Sequence, residues 1–184
     1  MTRVLHRVRH CLPVVALFTL AVAMPSGAQA KDGVETAGDI LRFAMPAMAG
    51  GYSLLRGDEE GAVQLIKSVA LSSALAFGLQ QGINSPRPDA SGNDSFPSGH
   101  AVNAFSAAAY MDHRYGWKYG LPSYLVAAFV GYSRIHEDKH DLKDVVVGAL
   151  LGWGVSHIFV TPLPVTAGAE VGHDRALLRI SATW

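Results

Sequence analysis

The chain is 184 residues long, 49% of them hydrophobic and 16% charged, with fifteen basic side chains set against fifteen acidic ones. Such a balance offers no basic surplus to attract nucleic acid and speaks against that class of partner. Its one cysteine, Cys11, cannot pair within the chain, so the fold must rest on packing.

Residues 1–30 begin with Arg3, Arg7 and Arg9, pass through an apolar stretch over 12–24 and end on Ala28-Gln29-Ala30. Basic start, apolar middle and A-x-A close make a secretory signal peptide, because the apolar run is shorter than the ~20 residues a membrane span needs. Cleavage after Ala30 leaves 184 − 30 = 154 residues, with 15 − 3 = 12 basic against 15 acidic side chains and a net charge of −3. That is enough chain for one domain, expected over 31–161, exported to the periplasm or the outer face of a membrane.

The pattern beyond the leader is helical. Residues 34–55 are apolar, with Met45 and Met48 as core filling, until Arg56-Gly57-Asp58 breaks the run. Asp58-Glu59-Glu60 then opens a second helix that reaches Gln80, acidic residues being favoured at the positive end of the helix dipole. Both read as packing helices without chemistry. Ser85-Pro86-Arg87-Pro88 cannot continue a helix, so Arg87 is presented from a rigid bend. The polar stretch 89–95 that follows has the composition of a mobile loop that gates access.

A third helix is expected over 98–111, with Val102, Phe105 and Ala109 inward and His113 solvated at its polar end. A fourth follows over 121–133. The fifth, over 144–160, carries Gly148 and Gly152 at the spacing of a close helix contact. The uninterrupted apolar runs are about 12 to 16 residues, short of the ~18 of a confident span, so composition leaves a soluble bundle and a membrane-embedded one both open. Past Pro162 and Pro164, alternation by twos on either side of Gly172-His173-Asp174 fits a terminal β-hairpin in a tail over 162–184.

The chemistry concentrates in two places. Pro97-Ser98-Gly99-His100 opens the third helix, where free backbone N–H groups attract phosphate. Downstream, His140 and Asp144 stand four apart, so that the carboxylate can accept the imidazole Nδ1–H and leave Nε2 basic. Arg87 and Arg134 add fixed positive charges able to grip a phosphate by two oxygens. Together these are parts of a phosphoryl-transfer site that requires no metal ligand set. One motif competes. His136-Glu137-Asp138-Lys139-His140 matches the H-E-x-x-H of zinc peptidases. Such a site needs a third ligand, and Asp144, His157 and Glu170 are poor ones. It also leaves the arginines unexplained, so His136 and Glu137 read as loop residues at the mouth of a pocket.

Arg87-Pro88, then Pro97-Ser98-Gly99-His100, then Ser133-Arg134 with His140 and Asp144 resembles the three-part signature of the type 2 phosphatidic acid phosphatase (PAP2) superfamily, which also holds the class A acid phosphatases and the vanadium haloperoxidases. The family pattern has a Lys seven residues before the Arg; this chain has Gln80 there. The resemblance implies an all-α bundle of five or six helices and a metal-independent phosphatase acting on phosphate monoesters or pyrophosphates, lipid phosphates among them. His140 would attack phosphorus to give a phosphohistidine and Asp144 would orient it, while His100 would protonate the leaving oxygen and then activate water. Arg87, Arg134, Ser98 and the Gly99 N–H, with Gln80 in the place of the Lys, would hold the equatorial oxygens. It implies no cofactor, with vanadate an inhibitor. The alternatives are a haloperoxidase with vanadate as cofactor and a low-activity phospholipid-binding protein.

Overall fold

The computed structural model describes residues 29–163, 165–172 and 175–182. Apart from Gln29 and Ala30, the expected leader lies outside them. Among the described residues five helices run in sequence: α1 Gln29–Leu55, α2 Glu59–Ile83, α3 Gly99–Tyr115, α4 Trp117–His136 and α5 Leu142–Phe159. The all-α bundle expected from the sequence is the fold found. Beyond it, β1 Val165–Gly172 pairs antiparallel with β2 Arg175–Ala182, placing Val165 opposite Ala182 and Gly172 opposite Arg175.

Local chemistry sets the helix ends. Asp58 caps α2 by accepting the Gly61 N–H at 3.0 Å, and Asn84 closes it in the left-handed region at φ 52°. α3 is the central helix, packed against all four others. Its run of small residues makes this feasible: Ala101, Ala104, Ala107 and Ala108 are buried, so neighbouring helices approach the backbone itself. α5 comes closest. A Cβ on Gly148 would stand 2.6 Å from the Ser98 carbonyl, and one on Gly152 would collide with the Val102 carbonyl and lie 2.9 Å from the Ser106 nitrogen. The glycine pair therefore does set a close helix contact, and it fixes where α3 begins relative to α5.

Two expectations fail at the far end of α3. The helix runs through Asp112-His113-Arg114 to Tyr115 instead of stopping at Met111. Arg114 is buried because Asp58 accepts from its Nε at 2.8 Å, and a paired charge tolerates burial that a lone one does not. His113 is half-buried rather than solvated, its ring centroid 4.3 Å from that of His157. α4 likewise begins four residues earlier than expected, at Trp117, with Pro122 inside it.

Charge is confined to the two ends of the bundle. Residues 43–55, 68–83, 101–111, 119–133 and 145–159, one stretch per helix, carry no Asp, Glu, Lys or Arg. Across this band the surface is apolar: Leu71, Leu75 and Phe77 of α2 and Leu150, Trp153 and Ile158 of α5 are exposed. α2 and α5 are long and apolar enough to cross a membrane, and only 28% and 33% of their apolar windows are buried within the protein. A core helix of a water-soluble bundle would be buried at these positions; these helices turn their apolar faces outward.

Candidate active site

The start of α3, the end of α4, the start of α5 and the loop after α2 meet at one end of the bundle. α4 stops at His136, and a short turn with Asp138 at φ 55° brings the chain back so that the His140 N–H donates to the Arg134 carbonyl at 3.2 Å. His140 is thereby tucked in, 3% exposed. Its Nδ1–H donates to the backbone carbonyl of Ser95 at 2.8 Å, which leaves the Nε2 lone pair free to act. Burial holds the imidazole below its ordinary pKa, the Ser95 carbonyl and Asp144 opposing that effect and the Arg87 and Arg134 charges adding to it.

Asp144 differs from the sequence reading in how it acts. Its Oδ2 is 3.8 Å from His140 Nδ1, beyond hydrogen-bond range. That oxygen instead accepts the Ser95 hydroxyl and, at 3.0 Å, the Asp141 N–H. The carboxylate is drawn to the orphan donors at the start of its own helix and reaches the histidine through Ser95.

His100, in the first turn of α3, sits between two elements. Its Nε2–H donates to Asp39 Oδ1 of α1 at 2.7 Å. Arg134 Nη1 donates to the same oxygen at 2.9 Å, and Arg42 Nη1 lies 3.3 Å from His100 Nδ1 and 3.2 Å from Nε2. With Nε2–H given to Asp39, Nδ1 is the ring nitrogen that accepts from Arg42. Burial first, then the Arg42 and Arg134 charges, push the His100 pKa down to about 4, against the pull of Asp39. Gly38 makes the α1 to α4 approach close enough: a Cβ there would collide with Ser133 Oγ and stand 2.7 Å from Arg134 Nη2.

The other expected residues surround this pair. Arg87 donates twice to Asp94, Nε to Oδ1 at 2.8 Å and Nη2 to Oδ2 at 2.9 Å, and its proximity to His140 is felt in the latter's titration. Ser98 is fully buried, and its Oγ finds no hydrogen-bond partner among the described residues. Gly99 opens α3 beside it. Gln80 spends its amide on the turn, donating from Nε2 to the Pro97 carbonyl at 2.8 Å. The loop over 89–95, expected to be mobile, is stitched down: Arg87 N–H donates to the Gly92 carbonyl, Asp89 N–H to the Asp138 carbonyl, and Lys139 pairs with Asp89 at 2.8 Å.

The zinc-peptidase pattern loses its geometry. Its two histidines must share one helix, and α4 ends at the first of them. His136 is exposed and stacked on Tyr132, whereas Glu137 is buried rather than lying at a pocket mouth. No group of three or more metal-ligating side chains occurs among the described residues.

Asp39 and Arg42 are the residues the sequence reading missed, α1 having been taken for a packing helix. Their signal was slight: two charges three apart in a segment otherwise apolar from 43 onward. Asp39 also lines a groove. An open groove of about 570 Å³ runs along the α1 face of Thr36, Asp39, Ile40, Phe43, Ala44 and Ala47, starting at the charged end and continuing apolar.

The fold and this end cluster define a helical-bundle protein with histidine and arginine side chains gathered at one end. The PAP2 superfamily model matches residues 61–164, and the chain belongs to that superfamily. It is 32% identical over 139 residues to a lipid A 4'-phosphatase of Helicobacter pylori, covering 70% of each chain. It is 30% identical over 162 residues to a lipid A 1-phosphatase of Porphyromonas gingivalis, covering 78% of this chain and 36% of that longer relative. The crystal structure of Aquifex aeolicus LpxE superposes with a TM-score of 0.53 at 25% identity, covering 78% of this chain and 92% of that one.

Proposed function

We propose that this protein is a membrane-bound phosphatase that removes a phosphate monoester from a phosphorylated glycolipid of the lipid A class, through a phosphohistidine on His140 and without a metal. The observation that carries the reading is the anchoring of His140: its Nδ1–H is fixed on the Ser95 carbonyl, so a buried imidazole keeps its Nε2 lone pair free while the Arg87 and Arg134 charges act on the ring. The orphaned Ser98 hydroxyl supports it, since a buried donor without a partner is costly unless a ligand satisfies it. The outward apolar faces of α2 and α5 and the groove along α1 support a lipid substrate met at a membrane surface, with the site on the exported side.

The phosphate displaces Asp39 from between His100 and Arg134, and its negative charge favours protonation of His100. His140 Nε2 then attacks phosphorus as the ester P–O bond breaks, and His100 gives its proton to the departing lipid oxygen. Arg134, Arg87, Ser98 and the Gly99 N–H hold the equatorial oxygens, where charge develops. Neutral His100 next takes a proton from water. The resulting hydroxide displaces His140 from phosphorus, releasing inorganic phosphate and neutral His140, and His100 gives its proton back to solvent once the phosphate has left.

The test is hydrolysis of lipid A by the purified full chain in detergent with EDTA present. Phosphate release that is unaffected by EDTA, inhibited by vanadate and absent in His140→Ala is expected. Lipid binding without turnover in the parent, or bromide oxidation on adding vanadate and peroxide, would replace this reading with the corresponding alternative.

A further inference from the structure

The signature cation missing at Gln80 leaves a charge deficit at the phosphate site, and α1 holds a cation in a position to fill it. Arg42 and Arg134 approach the same imidazole: their Nη1 atoms lie 3.2 and 3.5 Å from His100 Nε2. Two guanidinium groups gathered on one ring repel each other unless an anion lies between them, and in the described structure that anion is the single carboxylate of Asp39. Its Oδ1 takes one N–H from His100 and one from Arg134, the way a phosphate oxygen would. Arg42 retains a buried Nε–H with no acceptor among the described residues, as Ser98 retains its hydroxyl. The guanidinium is also braced, 4.3 Å above the ring of its neighbour Phe43. Gln80 cannot serve instead: its amide is uncharged and is engaged with the Pro97 carbonyl.

We propose that Arg42 is a phosphate-binding residue of this site, supplying from α1 the positive charge that the family pattern places at position 80, and that Asp39 occupies the phosphate position until an anion displaces it. The proposal deepens the phosphatase reading and rests on it for the identity of the anion. An arginine differs from a lysine here in kind, because its planar fork can hold two oxygens of one phosphate.

The test uses the full chain in detergent and two readouts: equilibrium binding of orthovanadate by calorimetry, and turnover of a lipid phosphate. Arg42→Gln is expected to weaken orthovanadate binding ~100-fold and to lower kcat/KM ~10²- to 10³-fold, the loss typical of one preorganised contact. Gln80→Lys added to Arg42→Gln is expected to restore at least ~10-fold of both, since a Lys at 80 would place its charge beside Pro97 and Gly99. Arg42→Met, which keeps the apolar stem, stands in should the Gln variant not fold. Orthovanadate binding within twofold of the parent in a folded neutral variant, or no rescue by Gln80→Lys, overturns the proposal. A parent that binds orthovanadate through Arg42 but turns nothing over would sink the phosphatase reading and leave this one standing. A parent that turns over through His140 with Arg42→Gln unimpaired would do the reverse.

Discussion

His140 gives its Nδ1–H to the carbonyl of Ser95 at 2.8 Å, while the carboxylate of Asp144 stands 3.8 Å from the same nitrogen and holds the Ser95 hydroxyl. The carboxylate thus steers the imidazole at one remove, through the residue whose backbone touches it. Asp144→Asn and Ser95→Ala are each expected to lower kcat ~10- to 100-fold, because both loosen the same histidine. The double variant should lose little more than the worse single one. Multiplicative losses in a steady-state cycle would mean that the two side chains act separately.

The two imidazoles also contribute to the acid stability. His100 has a folded pKa of about 4, below the ordinary value of 6.5, and His140 is shifted the same way. A histidine whose pKa is depressed by folding binds more protons in the unfolded chain, so stability rises with pH through the window between the two values. Unfolding should therefore be easiest toward pH 4 and level off above pH ~6.5, His100 alone contributing as much as ~3 kcal/mol across that range. Replacing His100 with Gln should flatten the profile measured by thermal unfolding in buffers from pH 4 to 7. An unchanged slope would show that the ring is not buried in its neutral form.

Asp39 Oδ1 takes the hydrogen bonds of His100 and Arg134 that the proposed mechanism gives to phosphate. Removing its charge by Asp39→Asn should strengthen product inhibition by inorganic phosphate, lowering its inhibition constant ~10-fold, since the anion would no longer have to displace a like charge. Weaker inhibition would assign Asp39 the opposite part, that of a residue that organises the cations for substrate.

The packing of α5 on α3 can be probed without touching the chemistry. Gly152→Ala presses a methyl group against the Val102 carbonyl and the Ser106 nitrogen and should cost ~1 to 3 kcal/mol. Gly154→Ala, on the same helix with nothing within 4 Å of the added carbon, should be neutral or slightly stabilising. Thermal unfolding of the pair decides this. Gly148→Ala pushes on the Ser98 carbonyl itself and should lower kcat as well as stability.

Much of this was legible in the sequence because local chemistry wrote it there. Prolines isolate Arg87 on its bend, the acidic run from Asp58 opens α2, and the glycine pair on α5 marks the close contact that the structure contains. What was not legible depends on partners distant in sequence. Asp39 and Arg42 have no local pattern and become site residues because α1 crosses α4 at Gly38. The Ser95 carbonyl is a main-chain group, which residue type cannot reveal, and it captured the proton that the i to i+4 rule assigned to Asp144. His113 looked like a solvated residue at a polar helix end, but the helix runs on because Asp58, the cap of α2, pairs with Arg114. The end of α4 at His136, which disposes of the H-E-x-x-H pattern, depends on a left-handed Asp138 that no glycine announces.

The central claim is that His140 is the atom donor to phosphorus, and the most direct measurement is to trap the bond it forms. Lipid substrate carrying radioactive phosphate, mixed with the full chain and quenched within a turnover, should leave label on the protein that is lost in acid, survives alkali and maps to the peptide containing His140. His140→Ala should take up none. Label on another residue, or turnover at the parent rate in His140→Ala, would contradict the account.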